Sequence, residues 1–151
     1  MTTTSNGEAT VLLVEDEEHM LYLLERIFSK HGYKVLKASD GKTAIKTYQR
    51  HKETIDAVLL DIGLPKLAGQ DVLRKMKQEK PDVKIVVASG YLEPELKSEI
   101  NRAGVKYWLQ KPYLPNEVIK IFQSVIERES IAREADLSLG SVSFPNDLVK
   151  D

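Results

Sequence analysis

Four charged side chains stand at positions from which they could act together. Glu15 and Asp16 follow one short apolar run, Asp61 follows a second and Lys111 follows a third. Three carboxylates in one pocket raise one another's pKa unless a cation lies among them. Mg²⁺ suits such a pocket better than Ca²⁺, because it needs only one or two carboxylates together with water and a phosphoryl group. These residue types therefore favour magnesium-dependent phosphoryl transfer, which depends mainly on positioning and charge neutralisation.

The apolar runs that precede these residues predict the elements that position them. Five short runs predict strands, at residues 11–14, 34–36, 57–60, 85–88 and 107–109. The first, third and fourth are continuously apolar, as expected for strands buried on both faces of a parallel sheet. Between and after the runs, apolar residues recur at helical spacing and predict five helices, with Asp40 placed to cap the second and Pro115 to begin the fifth. The alternation predicts an α/β fold, a doubly wound five-stranded parallel sheet with helices on both faces.

The carboxyl ends of these strands determine where the charged residues meet. In the flavodoxin-like strand order 2-1-3-4-5, the first and third strands are neighbours, and a ligand binds in the crevice beyond their carboxyl ends. Glu15, Asp16 and Asp61 are therefore predicted to converge there, with Ser89 and Lys111 beside them after the fourth and fifth strands. Ser89 offers a hydrogen-bond donor, and Lys111 offers a mobile positive charge for a carboxylate or a phosphate.

Composition excludes several other classes of protein. The 151 residues are 42% apolar and 30% charged with a net charge of −1, which fits one ordinary domain and lacks the basic excess that direct nucleic-acid binding uses. The absence of cysteine excludes a disulfide scaffold and a thiolate zinc site, and it fits a reducing compartment. No apolar run approaches the roughly 20 residues that span a bilayer, and no secretory signal is visible, so membrane association is not expected.

Composition also divides the chain into three segments. Residues 10–130 carry the alternation of strands and helices and are predicted to form the domain. Residues 1–9 are predicted to be disordered. Residues 131–151 are predicted to continue the last helix and then, where Ser, Gly and Pro accumulate, to form a mobile tail or the stump of a linker.

Four short motifs resemble the signature of response regulator receiver domains, the CheY-like domains of two-component phosphorelay signalling. They are Val-Glu-Asp-Glu at 14–17, Leu-Asp-Ile-Gly-Leu-Pro at 60–65 with Gly69, Ala-Ser-Gly at 88–90, and Lys-Pro at 111–112. Each motif alone is weak, but the four at the family's spacing cover roughly residues 10–130. The resemblance implies a phosphoacceptor that takes a phosphoryl group from a phosphohistidine and switches its partner binding. It implies a signalling domain and no enzyme, apart from self-phosphorylation and self-dephosphorylation.

The resemblance also implies roles for individual residues around the metal. Asp61 is the phosphoacceptor. Asp16, Asp61 and the backbone carbonyl of Gly63 bind Mg²⁺, for which Mn²⁺ can substitute, and Glu15 acts through a metal-bound water. Gly63 and Tyr91 occupy the positions that control the lifetime of the phosphoryl group.

The resemblance implies that a second group of residues binds the phosphoryl group and responds to it. Ser89 would hydrogen-bond a phosphoryl oxygen and Lys111 would pair with it, and the peptide bond between Lys111 and Pro112 would be cis. Ser89 and Trp108 occupy the switch positions, where the family more often has Thr and either Tyr or Phe.

Partners are implied only as classes. The phosphoryl donor would be a sensor histidine kinase or a histidine phosphotransfer protein, and a downstream protein or output domain of unknown identity would read the state. The family implies a cytoplasmic location and a monomer, or a weak dimer through the fourth helix, fifth strand and fifth helix. A stand-alone receiver and a receiver cut from a larger regulator or hybrid kinase both fit the sequence.

Two functions of other classes are alternatives. A flavodoxin-like FMN-binding protein has the same topology but needs a phosphate-cradling Ser, Thr or Gly loop after the first strand, where this chain has acidic residues at 15–18. A metal-dependent phosphatase with an aspartate nucleophile has similar chemistry. It pairs that nucleophile with a second aspartate two residues on, where Gly63 stands in this chain.

Overall fold

Strands and helices alternate along the chain, from a first strand to a fifth and last helix. The computed structural model describes residues 8–62, 69–91 and 93–139, with side chains described as far as residue 127. The strands are β1 (Thr10–Val14), β2 (Lys34–Ala38), β3 (Ile55–Asp61), β4 (Ile85–Ser89) and β5 (Tyr107–Gln110). The helices are α1 (Glu18–Lys30), α2 (Gly41–His51), α3 (Gly69–Glu79), α4 (Pro94–Arg102) and α5 (Pro115–Leu139).

The five strands form one parallel sheet in the order β2-β1-β3-β4-β5. The predicted doubly wound α/β fold and its strand order are therefore confirmed. The strand order reverses between β1 and β3, which is where a crevice opens in such sheets. Val14 lies opposite Leu60 in the register of these two strands. The residues that follow them in sequence, Glu15 and Asp61, consequently lie at the same edge of the sheet.

Alternate residues along the strands supply two cores, one on each face of the sheet. In β1, Leu12 and Val14 belong to the core that α2, α3 and α4 cover, and Val11 and Leu13 belong to the core that α1 and α5 cover. In the second core, Phe28 of α1 packs edge to face on a phenylalanine of α5 with ring centroids 4.9 Å apart. Burial on both faces explains why these strands are continuously apolar in sequence.

The helix ends follow local rules of capping. Asp40 caps α2 as predicted, because its carboxylate accepts the N–H of Thr43 at 2.8 Å. Glu17 caps α1 in the same way and accepts the N–H of Met20 at 2.8 Å. After α1, Gly32 has a φ of 88°, a left-handed conformation that glycine adopts without strain.

Gly69 allows α3 to begin against the end of β3. A Cβ atom at Gly69 would lie 2.5 Å from the carbonyl oxygen of Ile62 and 2.7 Å from its Cα. The obstacle is backbone and cannot turn aside as a flexible side chain could. The first residue of α3 therefore lies directly against the residue that follows Asp61.

Parts of the predicted organisation fall outside the described residues. Of the segment predicted to be disordered, only Glu8 and Ala9 are described, and they precede β1 without regular structure. The predicted tail beyond residue 139 is also outside, whereas α5 itself runs to Leu139. The limits of the domain stay a prediction. Within the described ranges, none of the helices combines the length and the apolar character needed to cross a membrane.

Candidate functional site

Three carboxylates meet at the carboxyl ends of β1 and β3. Glu15 and Asp16 directly follow β1, and Asp61 is the last residue of β3. One carboxylate oxygen from each of the three lies within 4.8 Å of the others. Glu15 and Asp61 are only 3% and 7% exposed, whereas Asp16 is exposed. The structure thus brings together the three acids that their positions after strands single out, and we call them the acidic cluster.

Lys111 adds a positive charge to the acidic cluster from the end of β5. Its Nζ donates to Asp61 Oδ2 at 3.1 Å and to Glu15 Oε1 at 3.3 Å. The other oxygen of Glu15, Oε2, accepts the N–H of Glu17 at 3.1 Å. Both oxygens of Glu15 are therefore engaged, and one ammonium group compensates two buried carboxylates in part.

Burial and charge shift the ionisation of these groups. Burial raises the pKa of Glu15, and the charge of Asp61 adds to this, while the N–H of Glu17 and the ammonium of Lys111 lower it. Burial lowers the pKa of Lys111, but its hydrogen bonds and its attraction to Asp61 and Glu15 outweigh burial and leave the pKa raised. Lys111 therefore stays cationic at neutral pH. A further cation among the carboxylates would favour the charged form of Glu15.

Ser89 reaches the same sheet edge at the end of β4, but its hydroxyl is engaged locally. Its Oγ donates to the backbone carbonyl of Tyr91 at 3.2 Å. The side chain is half-buried. A hydrogen bond from Ser89 to a group bound at the acidic cluster would require its hydroxyl to leave Tyr91.

Comparison with known proteins decides which family has this arrangement. The sequence model of the response regulator receiver domain matches residues 11–123. The chain belongs to this family. Chemotaxis protein CheY of Thermotoga maritima is 32% identical over 116 residues, which cover 76% of this chain and 95% of that protein. The alkaline phosphatase synthesis transcriptional regulatory protein PhoP of Bacillus subtilis is 33% identical over 122 residues, which cover 81% of this chain and 50% of that protein.

Solved structures agree with the family assignment. The CheX–CheY–BeF3–Mg²⁺ complex of Borrelia burgdorferi matches with a TM-score of 0.76 and 26% identity, covering 83% of this chain and 94% of that one. This receiver domain is thus a signalling domain of two-component response regulators, as the motifs predict. Neither an FMN-binding protein nor an aspartate-nucleophile phosphatase finds support in these comparisons.

Two aromatic residues of the receiver lie near Ser89. Tyr91 is 79% exposed. Trp108 of β5 is half-buried and packs at the border of the core under α4, with Lys97 Nζ 5.9 Å from the centre of its ring. These three residues and Ser89 belong to the lining of a cleft of about 280 Å³. Trp108 is therefore neither free on the surface nor fixed in the core.

Two further expectations concern the loops of the receiver. The peptide bond between Lys111 and Pro112 is cis, as predicted. Gly63 lies outside the described residues, so the metal-binding role of its carbonyl and its influence on phosphoryl lifetime stay predictions.

Sequence reasoning misses two residues beside the acidic cluster. Glu17 caps α1 and donates its N–H to Glu15, but glutamate is not among the preferred N-cap residues and spacing does not single it out. Tyr113 has a buried hydroxyl with no hydrogen-bond partner among the described residues. Burial raises the pKa of Tyr113, and the charges of Glu15 and Asp61 raise it further. The position of Tyr113 two residues after Lys111 is the feature of the sequence that could have indicated that it lies near the site.

Proposed function

We propose that this receiver is a phosphorylation switch in which Asp61 accepts a phosphoryl group from a phosphohistidine in a magnesium-dependent step. The observation that carries the proposal is the acidic cluster, three carboxylates with oxygens within 4.8 Å of one another. Lys111 Nζ lies 3.1 Å from Asp61 Oδ2. The donor would be a sensor histidine kinase or a histidine phosphotransfer protein.

The donor set of the acidic cluster fits a hard divalent cation. All three groups are carboxylates, the ligands that Mg²⁺ takes in proteins, and the exposed Asp16 leaves room for water ligands. Since both oxygens of Glu15 are engaged, we assign direct ligation to Asp16, Asp61 and the carbonyl of Gly63, and assign Glu15 a role through water. When bound, the ion neutralises charge on the incoming phosphoryl group. Mn²⁺, which also accepts oxygen ligands, would substitute for it.

Asp61 is the nucleophile in this proposal, and Lys111 positions charge beside it. A carboxylate oxygen of Asp61 forms the new bond to phosphorus while the bond from phosphorus to the donor imidazole nitrogen breaks, and that nitrogen keeps the electron pair. Lys111 already contacts Asp61 and Glu15, so its ammonium is placed to pair with the phosphoryl oxygens. Water later hydrolyses the acyl phosphate. The receiver itself catalyses no other reaction than its own phosphorylation and dephosphorylation.

Ser89 and Trp108 form the switch in this proposal. Attraction to a phosphoryl oxygen would draw the Ser89 hydroxyl away from the carbonyl of Tyr91, its acceptor in this structure. Ser89 and Trp108 line the same cleft, so the movement would change the space open to the indole. The lifetime of the phosphoryl group would depend on Gly63, which has no side chain to position water, and on Tyr91, which would shield the site.

The partners that recognise the phosphorylated receiver are proposed only by class. A downstream protein or output domain would recognise the surface of α4, β5 and α5, and the receiver would act in the cytoplasm as a monomer or as a weak dimer through that surface. Trp108 and Lys97 lie on this surface, next to the cleft that Ser89 lines.

Intact mass spectrometry tests the assignment of Asp61. After incubation with acetyl phosphate and Mg²⁺, the chain should gain the mass of one phosphoryl group, and hydroxylamine should remove it. Asp61→Asn should gain nothing. The matched control is Asp56→Asn, because Asp56 is an exposed acid of the same strand and its loss should leave phosphorylation intact. Phosphorylation that persists in Asp61→Asn would show that another residue is the acceptor.

A further inference from the structure

A cleft between α3 and α4 lies apart from the acidic cluster and has a different chemistry. It has a volume of about 320 Å³. Its lining comes from one stripe of α3 and from the end of α4: Gln70, Leu73, Arg74, Lys77, Glu99, Ile100, Arg102 and Ala103. The floor consists of Leu73 and Ile100, which are almost fully buried at 2% and 1% exposed, and the exposed Ala103 adds apolar surface to the lining. We call this the basic cleft, because cations stand around its mouth.

The cations of the basic cleft lack carboxylate partners. Arg102 lines the cleft, Lys106 lies near enough for its charge to act on Lys77, and neither has an ion pair with any described residue. Lys77 Nζ donates within the described ranges only to the carbonyl of Pro81, at the long distance of 3.4 Å. Arg74, by contrast, is paired with the carboxylate of its own helix neighbour at 2.7 Å. Three positive groups are therefore available to an anion.

The ammonium group of Lys77 lies near other positive charges, those of Lys84 and Lys106. A Cβ atom at Gly104, in the turn between α4 and β5, would lie 3.1 Å from Lys77 Nζ, so the ammonium reaches across the gap between the two helices. Burial lowers the pKa of Lys77, and the charges of Lys84 and Lys106 lower it further, against the opposing charge of Asp82. A bound anion would relieve this repulsion.

We propose that the basic cleft docks an acidic segment of a partner protein, distinct from any contact through the phosphorylated edge. One aliphatic side chain of the segment occupies the floor over Leu73 and Ile100. Carboxylates on either side of it pair with Lys77 and Arg102 of the lining and with the nearby Lys106.

The chemistry of the basic cleft favours such a segment over a long uniform polyanion. Glu99 stands on the rim among the cations and would repel a continuous phosphate backbone. The apolar part of the lining, with the exposed Ala103 beside the buried Leu73 and Ile100, favours a ligand that carries an aliphatic side chain. The net charge of the whole chain is −1, so the complementarity is confined to this short patch. Binding through exposed ion pairs will be weak and will fall with salt.

A designed peptide tests the proposal. The probe is a short synthetic peptide with one leucine flanked on both sides by glutamates, added to the full chain while amide chemical shifts are followed by NMR. Shifts should map to α3 and to the end of α4, and raising the salt should weaken the binding. A peptide with lysines for the glutamates should not bind, and one with serine for leucine should bind less tightly.

Variants assign the binding to the cations of the basic cleft. Lys77→Gln and Arg102→Gln should each weaken binding about threefold, and the double variant should weaken it more. The matched control is Lys46→Gln, which removes an exposed lysine of α2 and should leave affinity unchanged. Each variant is first shown to keep the amide spectrum of the folded chain.

Several outcomes would overturn the proposal. They are the absence of shifts at millimolar peptide, shifts that map to the surface around Trp108, equal binding of the lysine peptide, and unchanged affinity in the double variant. If ATP or a short RNA shifts the same amides and the glutamate peptide does not, the basic cleft is a site for phosphate polyanions and the docking of an acidic segment is wrong.

Discussion

Glu15 and Asp16 are neighbours in sequence with different surroundings. Glu15 is buried, and its two oxygens accept hydrogen bonds from Lys111 and from the N–H of Glu17. Asp16 is exposed. A carboxylate with both oxygens engaged is a poorer direct ligand than one facing solvent, although each contributes negative charge to the acidic cluster. The contributions of the two residues to metal binding should therefore differ.

Asp16→Ala should weaken Mg²⁺ binding by at least about tenfold, and Glu15→Gln should weaken it less. The reason is that direct ligation is lost in the first variant, while the second loses a charge that acts through water. Calorimetric titration of each variant with Mg²⁺ measures the difference. An Asp16→Ala variant with unchanged affinity would contradict the proposed ligands.

Tyr48 of α2 carries a buried hydroxyl group to which the proposed function assigns no role. Its side chain is 1% exposed, and its hydroxyl has no hydrogen-bond partner among the described residues. Tyr48→Phe should therefore leave the free energy of unfolding unchanged or raise it by up to about 1 kcal/mol. Urea unfolding at neutral pH measures this. A loss of stability would reveal a hydrogen bond to Tyr48 that the hydroxyl makes in solution.

Alkaline pH supplies a second readout at the same residue. Burial raises the pKa of Tyr48, and the charges of Asp82, Glu53 and Glu79 add to the shift. The folded state therefore holds the phenol proton of Tyr48 more tightly than the unfolded state does. The resulting contribution to the free energy of unfolding is fully present below a pH of about 10 and is lost as the pH rises further. Urea unfolding above that pH should show a smaller loss in Tyr48→Phe than in the wild type.

The sequence predicts much of the site because chemistry there follows strand ends. Glu15, Asp16, Asp61 and Lys111 all lie within two residues of the end of an apolar run, so topology alone brings them together. The hydrogen-bond acceptor of Ser89 was not predictable. The bond from Ser89 to a backbone carbonyl two residues on depends on a local turn, and neither residue type nor spacing specifies which acceptor a serine hydroxyl takes.

Local contacts determine where several elements of this fold begin. Parallel strands and covering helices are specified by hydrophobic pattern. The predicted strand order is confirmed, and three of the five strands start where predicted, whereas β1 starts one residue and β3 two residues earlier. The α1 cap was missed, because Glu17 is an uncommon residue type for it. A close approach between the residue after β3 and the start of α3 occurs at Gly69, which the sequence marks only as a glycine in a motif.

Gly69→Ala should lower the free energy of unfolding by about 1–3 kcal/mol, because the new methyl group meets the backbone of Ile62. The matched control is Gly90→Ala. A Cβ at Gly90 meets nothing within 4 Å, so its effect should stay within about 0.5 kcal/mol. Urea unfolding of both variants measures the two effects. Equal stability of both variants would mean that α3 moves away from Ile62 without cost.

On the scale of the whole molecule, the sheet separates two hydrophobic cores that are covered by different helices. Trp108 packs at the border of the core covered by α2, α3 and α4, and it is the chain's one tryptophan. A half-buried indole can change its environment without unfolding either core. Its N–H needs a partner when buried, so the inward position costs more than it would for phenylalanine.

Tryptophan emission should therefore change when Mg²⁺ and beryllofluoride, a phosphoryl mimic, are added, and the change should be a partial shift of an existing equilibrium. Fluorescence titration measures the change, and Asp61→Asn should abolish it. Constant emission while NMR shows the site occupied would mean that Trp108 is an ordinary edge-strand residue.

The contact between Gly69 and Ile62 has a mechanical consequence. A Cβ atom at Gly69 would lie within 3 Å of the backbone of Ile62. The start of α3 and the end of β3 are therefore so close that a displacement of one is expected to move the other. Ile62 is joined by one peptide bond to Asp61, and Gly69 is the first residue of an eleven-residue helix. Any movement of the strand end on phosphorylation should therefore tilt α3, and with it the basic cleft, whose lining runs along that helix from Gln70 to Lys77.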